Sequence, residues 1–567
     1  MKTLIILFFL CLAILLQAQN NFKYLDINQV KAGISNTGSM HYDPSSNWPS
    51  YEVPAGSGAH SDFFAGLWIG GYDNGNQLHL AAQTYRQFGD DFWPGPLDTT
   101  NGAINTSTSS QYDKIWKLNQ SDINTFIANF NNGNVQNGAY TPVADLLSWP
   151  ARGTGAQTRN MAPFADVNHN GIYDPLTGGD YPIIKGDQSL YYIFNDNLNH
   201  QSSGATPMKV EVHATAYAYG NSAIASQHGF LSKATFYNYK IINRSNLNYN
   251  NAFVTLWTDV DLGYYGDDYI GCDVQGNYGY CYNGDNFDET VGGVTGYGSN
   301  VPAAGYQIVK GPLANTDGID NNNNGVVDES CEQQLMSRFN YFNNSFPGVP
   351  IQQTDPANAQ QYYNYMSGSW RDNTPFTCGG NGYGGTIQTP FVYPGTTYTN
   401  SACGTSAWTE LTAGNTPNDR RYMIGVGPFN FNAGEVQEIE YVHCTSFPAG
   451  ATTALMQLKT DMQLLKSFSD AYFPVTCVAT SIQEQHNLGN FILYPNPATN
   501  ELTLSFKENA SLISTISLMD VCGKVLLTKE NAGLERITLN VQELASGIYF
   551  VKISSNGKSV VKKFVKE

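Results

Sequence analysis

Two stretches of the chain carry acidic and amide residues at a spacing that is typical of calcium-binding loops. Each follows the pattern D-x-N-x-N-G-x-x-D, so side-chain oxygens at positions 1, 3 and 5 can converge on one point, and glycine at position 6 permits a sharp turn. A backbone carbonyl at position 7 and a carboxylate at position 9 add further oxygen ligands. The predicted ligands are Asp166, Asn168, Asn170, the carbonyl of Ile172 and Asp174 in the first loop, and Asp320, Asn322, Asn324, the carbonyl of Val326 and Asp328 in the second.

Neither loop is that of a helical EF-hand, because the twelfth position holds Thr177 or Cys331 instead of a bidentate glutamate. A further ligand could come from Asp180 in the first loop, or from Asp317 or Glu329 in the second. We predict that Ca²⁺ has a structural role here, since weak extracellular sites with a Kd of about 10⁻⁴–10⁻³ M stabilise the folded state by roughly 1 kcal/mol each. The alternative is a plain Asn-Gly turn in an Asn-rich chain.

A second acidic group lies next to Trp257 and Tyr264 in the sequence. Its members are Asp259, Asp261, Asp267, Asp268 and Asp273. Paired carboxylates in different environments can act as the acid and the base of glycoside cleavage, which makes a secreted polysaccharide-acting hydrolase the alternative function. Adjacent aspartates in a loop rich in Gly and Tyr are more often a solvated turn or another cation site.

Other catalytic patterns are absent from the sequence. It contains no G-x-S-x-G, no H-E-x-x-H and no phosphate-binding P-loop. Residues 380–385 match G-x-G-x-x-G, but no strand pattern precedes them and no helix pattern follows them, so we reject a dinucleotide site. No cluster of His or Cys indicates a transition metal.

Cysteines are expected to be oxidised in part. An exported protein can form disulfide bonds, and Cys272 and Cys281 flank a predicted hairpin, so we predict a bond between these two. The sequence leaves the remaining connectivity open.

The composition favours strands joined by turns and excludes some classes of partner. The chain has 567 residues, of which only 13% are charged, with 55 Gly, 36 Tyr and a net charge of −18. Tyr is enriched in strands and Gly in turns. An anionic surface argues against nucleic acid or an anionic membrane as a partner.

Several segments predict the elements that must position these loops. Residues 189–196, 210–219, 234–242 and 252–262 are β-branched and aromatic runs, and residues 422–444 predict a hairpin that turns at 432–434. One helix is predicted over 453–473 from its apolar steps of three and four residues. The fold class is therefore mainly β, with a β-sandwich, long Gly/Asn-rich loops and one helix over residues 20–474. Trp68, Trp93 and Trp257 could stack on sugars, although a sandwich core needs such residues more often.

The first 19 residues predict a secretory signal peptide. Lys2 precedes an apolar run from Leu4 to Leu16, which is too short to span a bilayer. We expect no transmembrane span elsewhere and a chain that is exported.

Residues 491–567 predict a separate module, joined by a linker over 475–490. Alternation at Leu502, Leu504 and Phe506 indicates strands with one buried face, and Asn556-Gly557 suits a tight hairpin turn. The module is predicted to be a small antiparallel β-sandwich.

The motifs of this module resemble the type A C-terminal sorting domain of the type IX secretion system. They are Tyr494, Pro495, Asn496 and Pro497 at its start, Gly547 and Tyr549 in a glycine-led strand, and Lys562 and Lys563 in the basic final strand. The resemblance implies passage across the inner and outer membranes to the cell surface or the extracellular space. It implies a secretion translocon and a sortase-like peptidase as partners, with release or attachment to surface lipopolysaccharide.

The region before the module resembles an uncharacterised family of cargo proteins that carry the same tail. The matching phrases lie at residues 66–71, 91–98 and 179–182. This family has no established activity, so the resemblance gives architecture only. We expect a non-catalytic, adhesin-like protein that contacts surfaces or extracellular glycans and is stiffened by calcium.

Overall fold

The computed structural model describes residues 21–84, 90–104, 109–220, 222–314, 319–321, 326–328, 332–398, 403–404, 407–448, 450–473, 491–506, 515–520, 524–530, 536–555 and 558–567. The predicted signal peptide (1–19) and linker (475–490) lie outside these residues, as do Asn322 and Asn324. The chain divides into two compact units, residues 1–478 and 479–567, which we call the first and the second unit.

Strands dominate both units. In the first unit they are β1 (Phe22–Leu25), β2 (Lys31–Ser35), β3 (Tyr42–Asp43), β4 (Trp48–Pro49), β5 (Tyr51–Glu52), β6 (Phe64–Asp73), β7 (Leu78–Ala82), β8 (Trp93–Pro94), β9 (Trp116–Asn119), β10 (Phe164–Ala165), β11 (Tyr181–Pro182), β12 (Gln188–Asn195), β13 (Val210–Ala218), β14 (Ala234–Asn243), β15 (Tyr249–Val260), β16 (Asp268–Asp273), β17 (Tyr278–Asn283), β18 (Ala303–Lys310), β19 (Arg338–Asn343), β20 (Arg420–Phe431) and β21 (Val436–Ser446). In the second unit they are β22 (Phe491–Tyr494), β23 (Glu501–Phe506), β24 (Thr515–Met519), β25 (Val525–Glu530), β26 (Arg536–Asn540), β27 (Gly547–Ser555) and β28 (Lys558–Lys566).

The α-helices of the described residues all lie in the first unit. They are α1 (Gln120–Asn131), α2 (Ala144–Leu147), α3 (Pro175–Gly178), α4 (Ala223–Gln227), α5 (Ala359–Ser367), α6 (Glu410–Ala413) and α7 (Ala451–Tyr472). Short 3-10 turns occur at Ser110–Tyr112, Gly229–Lys233, Tyr265–Asp267 and Ile351–Gln353. Within the described residues, no helix has the length and apolar character that a membrane crossing requires.

Two antiparallel sheets form the centre of the first unit. The larger has nine strands in the order β16-β17-β18-β21-β14-β13-β12-β8, with β9 also paired to β12, and the smaller has the order β19-β20-β15-β6-β7. Residues of both sheets share one hydrophobic core, which includes Leu256 from the smaller sheet and Tyr239 from the larger. The prediction of a mainly β protein is confirmed, with 39% of residues in strands.

Helix α7 covers part of the nine-stranded sheet. Its Leu458, Met462 and Phe468 belong to a second core that includes Phe236 and Val442 of the sheet. Because helix and core cover opposite faces, strands β13 and β14 are buried along almost their whole length, which explains their continuous apolar runs.

The predicted helix over 453–473 is present as α7, but the sequence interpretation missed α1 and α5. The local signal for α1 was readable, because Asn119 and Asp122 form a capping box at its start. Helix α5 is short and rich in Tyr, a composition that the interpretation assigned to strands and turns.

The turn predicted at 432–434 is present, but its flanking strands do not form a hairpin. Strand β20 pairs with β15 and β19, whereas β21 pairs with β14 and β18 in the other sheet. The chain therefore crosses between the two sheets at this turn. The hairpin was predicted because the two strands are neighbours in the sequence. In the fold, the crossing instead buries each strand in a different sheet.

The second unit is the small antiparallel sandwich that was predicted. Its sheets have the orders β22-β23-β26 and β25-β24-β27-β28. Leu502, Leu504, Ile537 and Leu539 of one sheet share a core with Val551 of the other. Ser555 pairs with Lys558, and the residues of the predicted turn between them, Asn556 and Gly557, lie outside the described residues.

The predicted disulfide bond between Cys272 and Cys281 is wrong. Both are buried free thiols, and the bond in the described residues joins Cys378 and Cys403. Cys272 lies opposite Gly279, and Cys281 lies opposite Ile270, so the two cysteines are diagonal neighbours. Diagonal positions are about 7–8 Å apart, which exceeds the Cα separation that a disulfide bond usually spans.

Peptide mapping of the unfolded, non-reduced protein after alkylation should recover Cys378 and Cys403 as one cross-linked pair. Cys272, Cys281 and Cys444 should each carry the alkyl group, because they are thiols that become accessible only on unfolding. Reduction before alkylation is the control and should label all five. A cross-link between Cys272 and Cys281 would contradict the assignment.

Candidate functional site

A cleft of about 470 Å³ lies at one end of the five-stranded sheet. Its charged lining residues are Asp259, Asp261, Asp355, Asp419 and Arg421. The rest of its lining is aromatic, apolar or neutral: Trp48, Pro49, His60, Phe63, Gly263, Tyr265, Val294 and Asn344. An acidic, aromatic-lined concavity is the kind of surface that binds small polar ligands.

The pairing of strands brings the charged residues to this end. Strand β15 ends where β20 begins, and their antiparallel register places Asp259 opposite Arg421. On the other side of β15, the start of β6 places Phe64 opposite Asp259. The end of β19 completes the row, with Phe342 opposite Arg421. Four strand ends therefore meet at the floor of the cleft.

The Arg421 guanidinium is the positive group of the floor and contacts three carboxylates. Nη1 donates to Asp419 Oδ1 at 2.7 Å, and Nη2 donates to Asp259 Oδ2 at 3.4 Å. The Nε atom lies 3.9 Å from Asp355 Oδ1. Asn344 Nδ2 donates to Asp419 Oδ2 at 2.7 Å. Arg421 and Asp259 are both only 3% exposed, so this is a desolvated ion pair.

Asp261 experiences a different environment from that of the paired acids. Burial, together with the negative charges of Asp259 and Asp419, raises its pKa well above the ordinary value, and Arg421 opposes this effect only in part. Burial also raises the pKa of Asp355. His60 in the wall has a pKa lowered to about 4 by burial, so it is neutral at pH 7.

Three of these carboxylates could hold a metal ion. Asp259, Asp261 and Asp419 each offer an oxygen, and within the described parts of the chain they are the group whose ligand atoms come within 4.8 Å of one another. Carboxylate oxygens suit Ca²⁺, Mg²⁺ or Mn²⁺.

Of the five aspartates predicted as a cluster, only Asp259 and Asp261 line the cleft. Asp268 is fully buried at the start of β16, where its Oδ2 accepts the Leu262 N–H at 3.0 Å. Asp273 closes the turn after β16 by accepting the Gly276 N–H at 2.8 Å. Asp267 lies in a 3-10 turn beside the cleft, near Asp288.

Sequence reasoning missed Asp355, Asp419 and Arg421, because they lie far along the chain from Asp259. It also missed the exposed rings of the cleft, Trp48 and Tyr265, which are 40% and 41% exposed. The tryptophans predicted to stack on sugars are not exposed in this way. Trp68 and Trp257 are buried in the core, and Trp93 is half-buried.

The turn that carries Tyr265 depends on Gly263. Its φ of +74° favours glycine, and a Cβ there would lie 1.8 Å from Asp288 Oδ2. Asp288 accepts the backbone N–H groups of Tyr264 at 2.8 Å and Tyr297 at 2.6 Å. Glycine thus allows a buried carboxylate to fix this wall of the cleft.

The first predicted calcium loop folds as a closed turn around its own acceptors. Asp166 Oδ2 accepts the N–H of Gly171 at 2.8 Å, and Gly171 adopts a φ of +75°. Asn170 Oδ1 accepts the Ile172 N–H at 2.7 Å. Buried Asp180 accepts the backbone N–H groups of Val167 at 2.8 Å and Asp174 at 3.0 Å, so this predicted extra ligand closes the loop.

Asp174 is held by side chains of the same loop. Its oxygens accept from Thr177 Oγ1 at 2.9 Å and from the amides of Asn168 at 3.3 Å and Asn170 at 3.4 Å. These bonds, led by that of Thr177, lower the pKa of Asp174, while burial raises that of Asp180. The residue types and the turn fit a calcium loop, although its carboxylates are less closely gathered than those of the cleft.

The second loop is described only at Asp320, Asn321 and residues 326–328. Val326 is exposed, and Asp328 has a φ of +56°. Asn322 and Asn324 lie outside the described residues, so the geometry of this predicted site is not part of the structure.

The predicted sorting motifs come together in the second unit. Asn496 Oδ1 accepts the Val565 N–H at 2.8 Å, and the Ala498 N–H donates to the Val565 carbonyl at 2.8 Å, which ties the Tyr494–Pro497 segment to β28. Gly547 pairs with Lys566, and the Tyr549 ring stacks on Phe564 at 5.7 Å. Lys562 is half-buried and Lys563 is exposed on the same strand.

Comparison with known proteins identifies this second unit. Residues 492–567 match the family model of the secretion system C-terminal sorting domain. No curated protein matches the chain. Among solved structures, a polysaccharide lyase is 7% identical with a TM-score of 0.18, and the match covers 68% of this chain and 37% of the lyase. A likeness this slight carries no argument about function.

Replacement of Asp267 by Asn should stabilise the protein more at pH 8 than at pH 5. Burial and the charge of Asp288 raise the pKa of Asp267 to about 7 in the folded state. Because the folded state holds this proton more tightly than the unfolded state does, protonation of Asp267 stabilises the folded wild-type protein. This stabilisation is fully present below the unfolded pKa of about 4 and is lost as the pH rises through 7. Asn keeps the neutral form at every pH.

Thermal unfolding at the two pH values measures this effect. Asp285 is exposed in the loop that follows β17, and Asp285→Asn is the control substitution that should show no such pH-dependent gain. An equal shift of the Tm at both pH values in Asp267→Asn would show that the substitution acts without the proton.

Proposed function

Because this chain is an exported cargo of the type IX secretion system, with its sorting domain at residues 492–567, we propose that its first unit contacts glycans outside the cell through the cleft. As such a cargo, the chain interacts with the secretion machinery. The proposal extends to cleavage of the second unit by a sortase-like peptidase, and to attachment to surface lipopolysaccharide or release.

The observation that carries the proposal is the pairing of exposed rings with buried acids in one concavity. Trp48 and Tyr265, 40% and 41% exposed, line the same cleft as Asp259 and Asp419, which are 3% and 8% exposed. Aromatic faces suit the apolar faces of sugar rings, and carboxylates accept hydrogen bonds from hydroxyl groups. Large apolar side chains exposed at a polar cleft indicate a binding site.

A hydrolase is the second candidate, and one observation favours it. Asp261 has a raised pKa, whereas Asp259 and Asp419 each contact the Arg421 guanidinium, so the cleft places a candidate proton donor beside two carboxylates in a different environment. In this scheme Asp261 would protonate the glycosidic oxygen and a paired aspartate would act as base or nucleophile. We favour binding without turnover, because the Arg421 contacts occupy both candidate bases.

Glycan-array screening of the full chain should reveal oligosaccharides that bind without being cleaved. Trp48→Ala and Tyr265→Ala should weaken binding on the order of tenfold or more, because aromatic anchors at the centre of a site carry much of its affinity. Tyr383 is similarly exposed (37%) and lies outside the cleft, so Tyr383→Ala is the matched control. Retained binding in both cleft variants would refute the site.

Turnover assays on the bound glycans separate the two candidates. We expect no cleavage by the wild-type chain. Cleavage that is lost in Asp261→Asn and Asp259→Asn, but kept in Asp273→Asn outside the cleft, would establish the hydrolase and contradict the proposal.

Calcium bound in the predicted loops is proposed to stabilise the first unit. Chelator should lower the Tm by about 2 °C or less, since a weak site contributes roughly 1 kcal/mol to a large unit. This sensitivity should diminish in Asp166→Ala, which removes the first ligand. Asp98 accepts the Thr100 N–H in another loop, so Asp98→Ala is the control that should keep it. Undiminished sensitivity in Asp166→Ala would exclude the first loop.

A further inference from the structure

The charges of the cleft are unbalanced. Four carboxylates, those of Asp259, Asp261, Asp355 and Asp419, line it together with one guanidinium, that of Arg421. Even with Asp261, whose pKa is raised, in its protonated form, three carboxylates remain against one guanidinium. His60 adds no charge at neutral pH, since burial lowers its pKa to about 4. Among the described lining residues there is no second basic side chain.

The guanidinium is also already engaged. Arg421 contacts Asp419 at 2.7 Å, Asp259 at 3.3 Å and Asp355 at 3.9 Å. An incoming carboxylate or sulfate would have to displace one of these partners. The displaced aspartate would then remain in the cleft beside the new anion, so the exchange gains no net attraction.

An anionic sugar would therefore meet repulsion in a place where water screens it poorly. Asp259 is only 3% exposed and Asp419 only 8%, and like charges interact strongly at such depth. A protonated amine has the opposite effect, because it attracts every unbalanced carboxylate. The exposed faces of Trp48 and Tyr265 would add cation–π attraction to the same group.

We infer that the ligand of the cleft is a glycan that carries protonated amino groups, that is, an oligosaccharide of amino sugars with free amines. This inference rests on the proposed glycan-binding function and names the class of glycan. It excludes polymers of uronic acids and sulfated sugars as ligands. Neutral glycans, which lack the attraction, bind more weakly.

Calorimetry with the full chain and three oligosaccharides of equal length tests the inference. The probes are a glucosamine hexamer, its N-acetylated counterpart and a galacturonic acid hexamer, at a pH at which the amines are protonated. The free-amine hexamer should bind about tenfold or more tightly than the acetylated one, and the uronate should not bind. Added salt should reduce this preference, because it screens partly exposed charges.

Two variants locate the charge effect. Asp355→Asn and Asp419→Asn should each reduce the preference for the free amine several-fold, and Asp355 is the milder change because its nearest contact with Arg421 is 3.9 Å. Asp273→Asn, outside the cleft, should leave the preference unchanged. An unchanged preference in both cleft variants that fold would overturn the inference.

The remaining outcomes distinguish the inference from the proposed function. Equal binding of free-amine and acetylated hexamers refutes the inference and leaves glycan binding intact, whereas failure of every oligosaccharide refutes both. Binding of the acetylated hexamer only with added calcium would place the positive charge on a metal ion and overturn the amino-sugar class. Tighter binding of a lysine hexapeptide would overturn it in favour of a basic peptide.

Discussion

The register between strands β15 and β20 is the constraint on which the candidate site depends. It sets Asp259 opposite Arg421, while the row of large apolar residues behind them lies in the core. A slip of one residue would turn every side chain of the strand to the other face. The ion pair and the hydrophobic pattern therefore specify the same alignment. Removal of Arg421 would leave the buried carboxylates of Asp259 and Asp419 without the guanidinium that they share, which is far more costly than the net value of the pair.

The change from aromatic core to charged floor takes place within two residues of β15. The ring of Trp257 packs against those of Trp68 at 5.6 Å and Phe342 at 6.4 Å, and Asp259 follows at the end of the same strand. Helix α5 packs on this aromatic row, with the Tyr362 ring 4.8 Å from Trp68. This aromatic row holds the strand ends in place. The charged residues lie at those ends, beyond the row, and contact one another there. A rigid scaffold of this kind positions a site more accurately than loops alone.

Local patterns in the sequence predicted the features that depend on residues close together in the chain. Alternation and composition predicted many of the strands, helix α7 and the sandwich of the second unit, in which Ser555 pairs with Lys558. Only part of the cleft could be predicted from the sequence. Asp259 and Asp261 meet Asp419 and Arg421 through strand pairing across more than a hundred residues. The same limit explains the hairpin at 432–434, whose two strands belong to different sheets. The Cys272–Cys281 disulfide failed on register, because the two cysteines lie on paired strands but as diagonal neighbours.

Both the cleft and the adjoining wall contain buried carboxyl groups that lie close to one another. Burial raises the pKa values of Asp261 and Asp355 within the cleft, and those of Asp267 and Asp288, to about 7 and about 6, in the wall that Gly263 and Tyr265 belong to. At neutral pH these acids oppose one another, so the wall is less stable than its hydrogen bonds alone would make it. A positively charged ligand of the proposed kind would reduce this repulsion and stabilise the wall. Its binding would then be linked to local stability with the same sign as proton binding.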